Sequence, residues 1–571
     1  MGTPTAADAL VEQLRSYGVD RVFGTCGHTN IALLDAIGRS DIDFVIARHE
    51  QTAAHAADGY ARATGKPGVL LMHVGPGMMN AVTGVATAAL DSVPLVAISG
   101  DIPSYMYGRH PHQEVNLHHD ADQTAIYRPF VKRAWQVHRV EDLTRFTERA
   151  FWTATSGRPG AVLLNVPMDI FSRPMPDGVP AYPLPETSTR PVISEADAEA
   201  IATALAEAER PLIYVGGGAG GTALRELAEH LDIPVAHSLM AKGTLPDEHP
   251  LVLGMTGFWG LEVTNKYARE ADLVLAIGTR FAETDASSWN PAYTWRFPPS
   301  RLIQIDIDPA EIGRNYPVEI GVVADAGPAI AAICEAARRR PATRKNQSWI
   351  KAARDELFAA SAERGRSDQF PLRPERILAD VRAALPADTV LVTDVGWNKN
   401  GVAQCYPLPP EGRFITPGGA STMGFGPAAA LGVQLAQPDR VVVALVGDGG
   451  MSAQLPALPM AVEQGLPVIF LVMNNRSHGT ISDLQASNFG RSYGCDFTDP
   501  DGNPYSPDFA ALGRACGADG YLISAAAELT TVLRTAVERR RPAVIDVPMV
   551  NEPVPTPGHW NIKDIYQGVF E

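Results

Sequence analysis

Two polar residues stand where chemistry is most readily placed. The apolar run 441–446 ends in Gly447-Asp448-Gly449-Gly450, and a second apolar run, 467–473, ends in Asn474-Asn475. A carboxylate oxygen beside an amide oxygen suits a hard cation such as Mg²⁺. That ion takes near-octahedral oxygen ligands at about 2.0–2.1 Å and commonly shares them with phosphate. The glycines flanking Asp448 leave room for a diphosphate to reach backbone N–H groups. Two histidines, His28 and His73, fall at predicted strand ends, where imidazoles near their intrinsic pKa can pass protons to a developing alkoxide. Glu50 stands just before an alanine-rich helix predicted over 52–64, a position where a carboxylate complements the helix dipole.

These residues need a scaffold that brings them to one edge. The stretch around Asp448 and Asn475 reads as strand–turn–helix–strand, with both strands apolar enough to lie inside a parallel sheet. In such sheets ligands bind beyond the carboxyl ends of the strands, so Asp448 and Asn475 are expected at the same edge. The N-terminal part has the same rhythm. Thr5, with Asp8 three residues on, predicts a helix start, and Gly18 a stop. Strands are predicted at 21–23, 44–47, 68–72, 94–99 and 162–166, alternating with helices. Residues 172–192 contain six prolines and read as a linker. Strands return at 211–215, near Val235, at 273–277 and at 302–307. The basic, proline-broken run EAARRRPATRKN reads as a second, solvated linker. The expected fold is α/β, with three doubly wound parallel-sheet domains at 1–180, 193–340 and 365–571.

A chain of 571 residues is too long for one core, which agrees with three domains. Lys and Arg number 48 against 64 Asp and Glu, and the net charge of −16 disfavours nucleic acid or an anionic membrane as partner. No apolar run reaches the roughly 18 residues of a membrane span. The N-terminus has neither the basic nor the apolar region of a signal peptide. The five cysteines are scattered, odd in number and without metal-type spacing. A cytoplasmic enzyme is expected.

Gly447-Asp448-Gly449 through Asn474-Asn475 resembles the cofactor signature of thiamine-diphosphate (ThDP) enzymes of the acetolactate synthase and pyruvate decarboxylase group. His49-Glu50-Gln51-Thr52-Ala53 through Ala57-Asp58-Gly59-Tyr60-Ala61 resembles the same family's glutamate motif, and Gly418 to Gly426 its G-x-G-T-M-G-Y-G run. The resemblance covers essentially the whole chain. It implies pyrimidine-binding, central and diphosphate-binding domains. It also implies Mg²⁺ held by Asp448, Asn475 and the carbonyl of Ser477, diphosphate against Gly449, Gly450 and Gly396, and further cofactor contacts at Gly447, Gly479 and Gly75. Met423 would hold the cofactor bent and Ser421 would offer it a carbonyl. Glu50 would bond a ring nitrogen of the aminopyrimidine and so promote loss of the reactive carbon's proton. Gly75-Pro76-Gly77 resembles the family turn beside the substrate pocket, and His112-Gln113-Glu114 its F-Q-E, in which the glutamine faces substrate. The family assembles as homodimers or homotetramers in which Glu50 of one subunit and Asp448 and Asn475 of another meet at one cofactor. The run 555–560 resembles a C-terminal lid, and His118-His119 the histidine pair of the pyruvate decarboxylases.

The implied function is a C–C bond lyase or carboligase acting on a small carbonyl substrate such as a 2-oxo acid. Several residues depart from the acetolactate synthase pattern. Leu484 stands where those enzymes carry Trp, and Gly396-Trp397-Asn398-Lys399 where they carry G-Q-H-Q. Gly27-His28-Thr29 and His73 resemble the enzymes that hydrolytically open cyclic 1,2-diones. Three alternatives therefore stand beside the first reading: cleavage of a 1,2-dione, non-oxidative decarboxylation of a 2-oxo acid, and a non-catalytic relative, against which the intact Glu50, Asp448 and Asn475 argue. Gly216-Gly217-Gly218 leaves the binding of FAD open.

Overall fold

The longest apolar runs become strands shielded by helices on both faces. Every position is buried in Gly68–Met72, Leu95–Asp101, Pro211–Val215, Leu273–Ile277 and Ile469–Asn474. That is the environment expected of all-parallel sheets. The structure is a computed structural model that describes residues 4–116, 122–185, 190–219, 222–340 and 347–552.

Three six-stranded parallel sheets follow one another along the chain. The first contains β1 (Arg21–Gly24), β2 (Asp43–Ile46), β3 (Gly68–Met72), β4 (Leu95–Asp101), β5 (Ala134–Gln136) and β6 (Ala161–Pro167), in the order β2-β1-β3-β4-β6-β5. The second contains β7 (Pro211–Val215), β8 (Val235–His237), β9 (Val252–Met255), β10 (Leu273–Ile277), β11 (Arg301–Asp306) and β12 (Ile320–Val323), in the order β12-β11-β10-β7-β8-β9. The third contains β13 (Val390–Thr393), β14 (Arg413–Ile415), β15 (Val442–Gly447), β16 (Ile469–Asn474), β17 (Asp519–Leu522) and β18 (Ala543–Pro548), in the order β14-β13-β15-β16-β18-β17. The short edge strand β5 is half-buried and carries no apolar run, so it lacks a periodic signal in the sequence.

Local chemistry sets the element ends. Thr5 caps the first helix, Ala6–Ser16, in a capping box with Asp8, and Gly18 follows its end at φ 75°. The helix Glu50–Thr64 begins two residues before the alanine-rich stretch, because the His49 ring accepts the Gln51 N–H and caps it. Between the second and third sheets the chain forms a helix, Gln347–Arg364.

The first and third units pack directly. Gly59 on the helix Glu50–Thr64 faces Ala429, and Gly432 on the helix Phe425–Ala436 faces Ala56. A Cβ at Gly432 would come within 1.8 Å of the Ala56 carbonyl, so only glycine lets the two helix backbones approach so closely. The apolar core is continuous across this contact, from Phe23 and Tyr127 to Phe425 and Phe470. Among the described residues no helix is long and apolar enough to cross a membrane.

Candidate active site

Parallel registration brings the predicted residues together in two groups. In the third sheet β13, β15 and β16 are neighbours, with Gly447 paired to Met473. Asp394, Asp448 and Asn475 therefore follow adjacent strand ends at one edge. The Asn475 amide donates to Asn551 Oδ1 at 3.0 Å, which turns its own oxygen toward two others. That oxygen lies 3.0 Å from the Ser477 carbonyl oxygen and 3.3 Å from Asp448 Oδ1. Rotating the amide would give both a donor, whereas a bound cation would favour the orientation with three oxygens facing inward. Adjacent ligands of an octahedral Mg²⁺ stand about 2.9–3.0 Å apart, given bonds of about 2.0–2.1 Å. The donor set therefore fits this ion. Among the described residues Asp448 Oδ2 is buried without a partner, and burial pushes the carboxyl up to about 6. A cation would offset that cost.

The space beside these oxygens is a cavity of about 820 Å³. Gly447, Gly449, Gly450 and Gly396 line it on one side, with Ser477 and Gly479 next to them. Bulk is excluded here: a Cβ at Gly450 would meet Asp394 Oδ1 at 2.5 Å, and one at Gly449 would meet His478 at 2.9 Å. Met423 also lines the cavity and is 37% exposed despite its apolar side chain. The Met423 turn is held from two sides. Asp394 accepts N–H bonds from Gly424 (2.7 Å) and Gly426 (3.0 Å), and Asp91 of the first unit accepts from Gly418 (2.8 Å) and Gly419 (2.7 Å). Ser421 sits in this turn at φ 44°, a strained conformation for a residue with a Cβ.

The second group lies in the first sheet, where β2, β1 and β3 are neighbours. Glu50 follows β2, and its two oxygens accept from Thr25 Oγ1 and Asn80 Nδ2, each at 2.9 Å. His73 follows β3, is buried, and bonds Thr29 through Nδ1 (3.0 Å) and Gln113 through Nε2 (2.7 Å). The His28 ring lies 4.8 Å from that of His73 and 5.8 Å from that of His112. Burial and these two neighbours hold His28 below the usual imidazole range. Gly75 turns at φ 60°, and a Cβ there would meet the Gln113 carbonyl at 2.0 Å. Its N–H donates to Gln123, which bonds Asn165, which bonds the buried Asp101.

Among the described residues, the second group does not line the large cavity. The walls of the large cavity come from the third unit, together with Phe258 and Trp259 of the second, and Glu50 is not among them.

Models of the thiamine pyrophosphate enzymes match all three units: the N-terminal TPP binding domain over 4–126, the central domain over 198–333 and the C-terminal TPP binding domain over 394–547. The acetolactate synthase large subunit of Parasynechococcus marenigrum is 35% identical over 95% of this chain and 87% of its own length. The isozyme 3 large subunit of Escherichia coli is 33% identical over 94% of this chain and 93% of its own. An acetolactate synthase of Arthrospira platensis is 34% identical over 98% and 97%. The chain belongs to the acetolactate synthase-like family of thiamine-diphosphate enzymes. It is a ThDP-dependent carboligase of the transferase and lyase kind.

For this ThDP enzyme several cavity residues carry no local signal. Phe258 and Trp259 reach the site across a domain boundary, His478 sits between two signature residues, and Asp394 follows a short strand far upstream of the Asp448 turn. Lys399 was visible only as a departure from a family run. His118, His119 and the run 555–560 lie outside the described residues.

Proposed function

We propose that this enzyme uses Mg²⁺ and ThDP to make or break a C–C bond in a 2-oxo acid, joining the retained fragment to a second carbonyl. In this reading the units 1–180, 193–340 and 365–571 act as pyrimidine-binding, central and diphosphate-binding domains. The observation that carries it is the three-oxygen cluster of Asp448, Asn475 and Ser477 at the wall of a glycine-lined cavity. When bound, ThDP supplies a nucleophilic carbon and an electron sink. The chain's own residues supply the rest. Asp448, Asn475 and the Ser477 carbonyl hold the cation. The glycines open backbone N–H groups to the diphosphate, Met423 gives the cofactor's ring portion an apolar support that holds it bent, and the Ser421 carbonyl accepts from the amino group. Glu50 of a second copy holds a proton at the pyrimidine ring, since its own cavity lacks that carboxylate. A homodimer or homotetramer with shared sites follows. The five free cysteines favour a reducing, cytoplasmic setting.

A second reading rests on the cluster of His28, His73 and His112 beside Gln113. Three imidazoles on the Glu50 side suit proton transfers to and from a hydrated carbonyl, as hydrolytic cleavage of a 1,2-dione needs. Purified protein with added ThDP and Mg²⁺ should therefore be offered 2-oxo acids, with and without an aldehyde, and cyclic 1,2-diones, with CO₂ and product masses followed. Ligation or CO₂ release from 2-oxo acids is expected. Ring opening of a dione without CO₂ would replace the first reading by the second, and CO₂ with free aldehyde alone would indicate a simple decarboxylase.

A further cavity, of about 510 Å³, lies at the carboxyl ends of β7 and β10 and is lined by Gly216, Gly217, Gly218 and Gly278. A Cβ at Gly216 would meet the Gly278 carbonyl at 2.2 Å, so the loops form a bare backbone cradle at the sheet's switch point. This supports a dinucleotide such as FAD. The purified protein is expected to show a visible flavin band, and a preparation that is colourless both as purified and after incubation with FAD and removal of the free cofactor would remove it from the cofactors.

A further inference from the structure

Lys399 has no role in the cofactor arrangement described above. It lies in the helix Trp397–Cys405, lines the large cavity and is 3% exposed. Its ammonium donates to Ser421 Oγ at 2.9 Å and lies 5.9 Å from the centre of the Trp259 ring. An ammonium has three N–H donors, and among the described residues this is its one hydrogen bond and it has no ion pair. Burial lowers its pKa to about 8, and Asp91, Asp394 and Asp285 act against that fall, so it remains charged at neutral pH. None of the three is its ligand. Asp91 is held by Arg62 at 2.8 Å and by two backbone N–H groups, Asp394 by three backbone N–H groups, and Asp285 by the Leu239 N–H. The fold thus keeps a buried positive charge with spare donors at the wall of a cavity, beside an apolar surface of Phe258, Trp259 and Leu484.

We propose that Lys399 is a specificity-determining residue that binds a carboxylate which the substrate keeps through the reaction. This rests on the carboligase reading. A cation against a carboxylate stabilises its charged ground state more than the transition state in which it leaves as CO₂, so the group held here is not the one lost. The substrate class is a carbonyl compound bearing a retained carboxylate, such as an accepting 2-oxo acid. A phosphate oxygen of the cofactor has the same oxyanion chemistry, and the test separates the two.

Three measurements on K399M and K399R, in the full-length holoenzyme, decide it. The first is the ratio of kcat/KM for an accepting 2-oxo acid to that for the corresponding aldehyde. The second is the affinity for ThDP with Mg²⁺. The third is a tryptophan-fluorescence titration with oxalate, a non-reacting carboxylate. K399M should lower the acid-to-aldehyde ratio by about tenfold or more and weaken oxalate binding to a similar degree, while K399R recovers part of both. ThDP affinity should stay within about twofold of wild type. Loss of ThDP affinity with an unchanged ratio would assign the ammonium to the diphosphate and overturn the proposal. An equal fall for acid and aldehyde with unchanged oxalate binding would overturn it too, leaving Lys399 as a brace for Ser421. Should the wild type ligate neither acceptor, the carboligase reading falls, and the oxalate titration alone decides for or against Lys399.

Discussion

Replacing Asp448 by Asn is expected to weaken Mg²⁺-dependent binding of ThDP by on the order of 100-fold or more, since changing even an outer partner of a metal ligand costs about 10–100-fold. The substitution keeps the volume and one oxygen, so the fold should survive. What it removes is the single negative charge among three inward-facing oxygens, the other two being the neutral Asn475 amide and the Ser477 carbonyl. Its surroundings are tied down independently, the Met423 turn by Asp394 on Gly424 and Gly426 and the Asn475 side chain by Asn551. Burial already raises the Asp448 carboxyl to about 6, so the folded protein meets a cost in ionising it that the neutral amide avoids. The sign of the stability change follows. A raised carboxyl destabilises the fold increasingly as pH rises from the unfolded value near 4 toward 6, and that cost persists at pH 7. Without cofactor, D448N should then melt no lower than wild type at pH 7, whereas with Mg²⁺ and ThDP the wild type alone should gain stability. Calorimetry with and without cofactor reads both. A D448N protein that is stabilised by Mg²⁺ and ThDP as strongly as wild type would show that the cation sits elsewhere.

How much of this was legible beforehand depends on the range of the contacts. Asp448, Asn475 and Ser477 belong to one short strand–helix–strand unit, so their meeting follows from parallel pairing alone. The Thr5–Asp8 capping box and the stop at Gly18 are local in the same way. Glu50 with Thr25 and His73 needs only the order of three neighbouring strands. The pairing of Lys399 with Ser421 is different. Lys399 was readable only as a departure from one family run and Ser421 only as a member of another, and nothing in the spacing joins them, because their contact depends on how the helix Trp397–Cys405 lies against the Met423 turn. His112 joins His28 and His73 through a loop carrying a positive φ at Gln113, which has no periodic pattern. The aromatic wall of Phe258 and Trp259 comes from another domain altogether. Short edge strands such as β5 and β14 escape for a further reason: three residues, all or most of them half-buried, carry too little apolar signal to be told from a loop.

Glu50→Gln is expected to lower kcat by about 100- to 10,000-fold, the usual worth of a positioned acid or base, while leaving ThDP and Mg²⁺ bound. The glutamine can still accept from Thr25 or Asn80, so the local packing is kept, but it can no longer carry a charge or exchange a proton. Among the described residues, the walls of the large cavity belong to the second and third units, and Glu50 is not one of them. That separation makes a sharper experiment available than the single variant. In a symmetric dimer each site would take Glu50 from one chain and Asp448 from the other. Mixed dimers of E50Q and D448N then contain one site with both residues intact and one site with neither. If subunits exchange freely, half of the dimers are mixed and half of their sites are whole, so two nearly inactive proteins should together recover about one-quarter of wild-type activity. Sites built within one chain would recover nothing, since every chain in the mixture lacks one residue or the other. Recovery that grows with the time allowed for exchange would locate Glu50 on the partner of the chain that holds the cation. Its absence, with exchange verified by co-purification of two differently tagged chains, would require the Glu50 and Asp448 regions of a single chain to close on one cofactor.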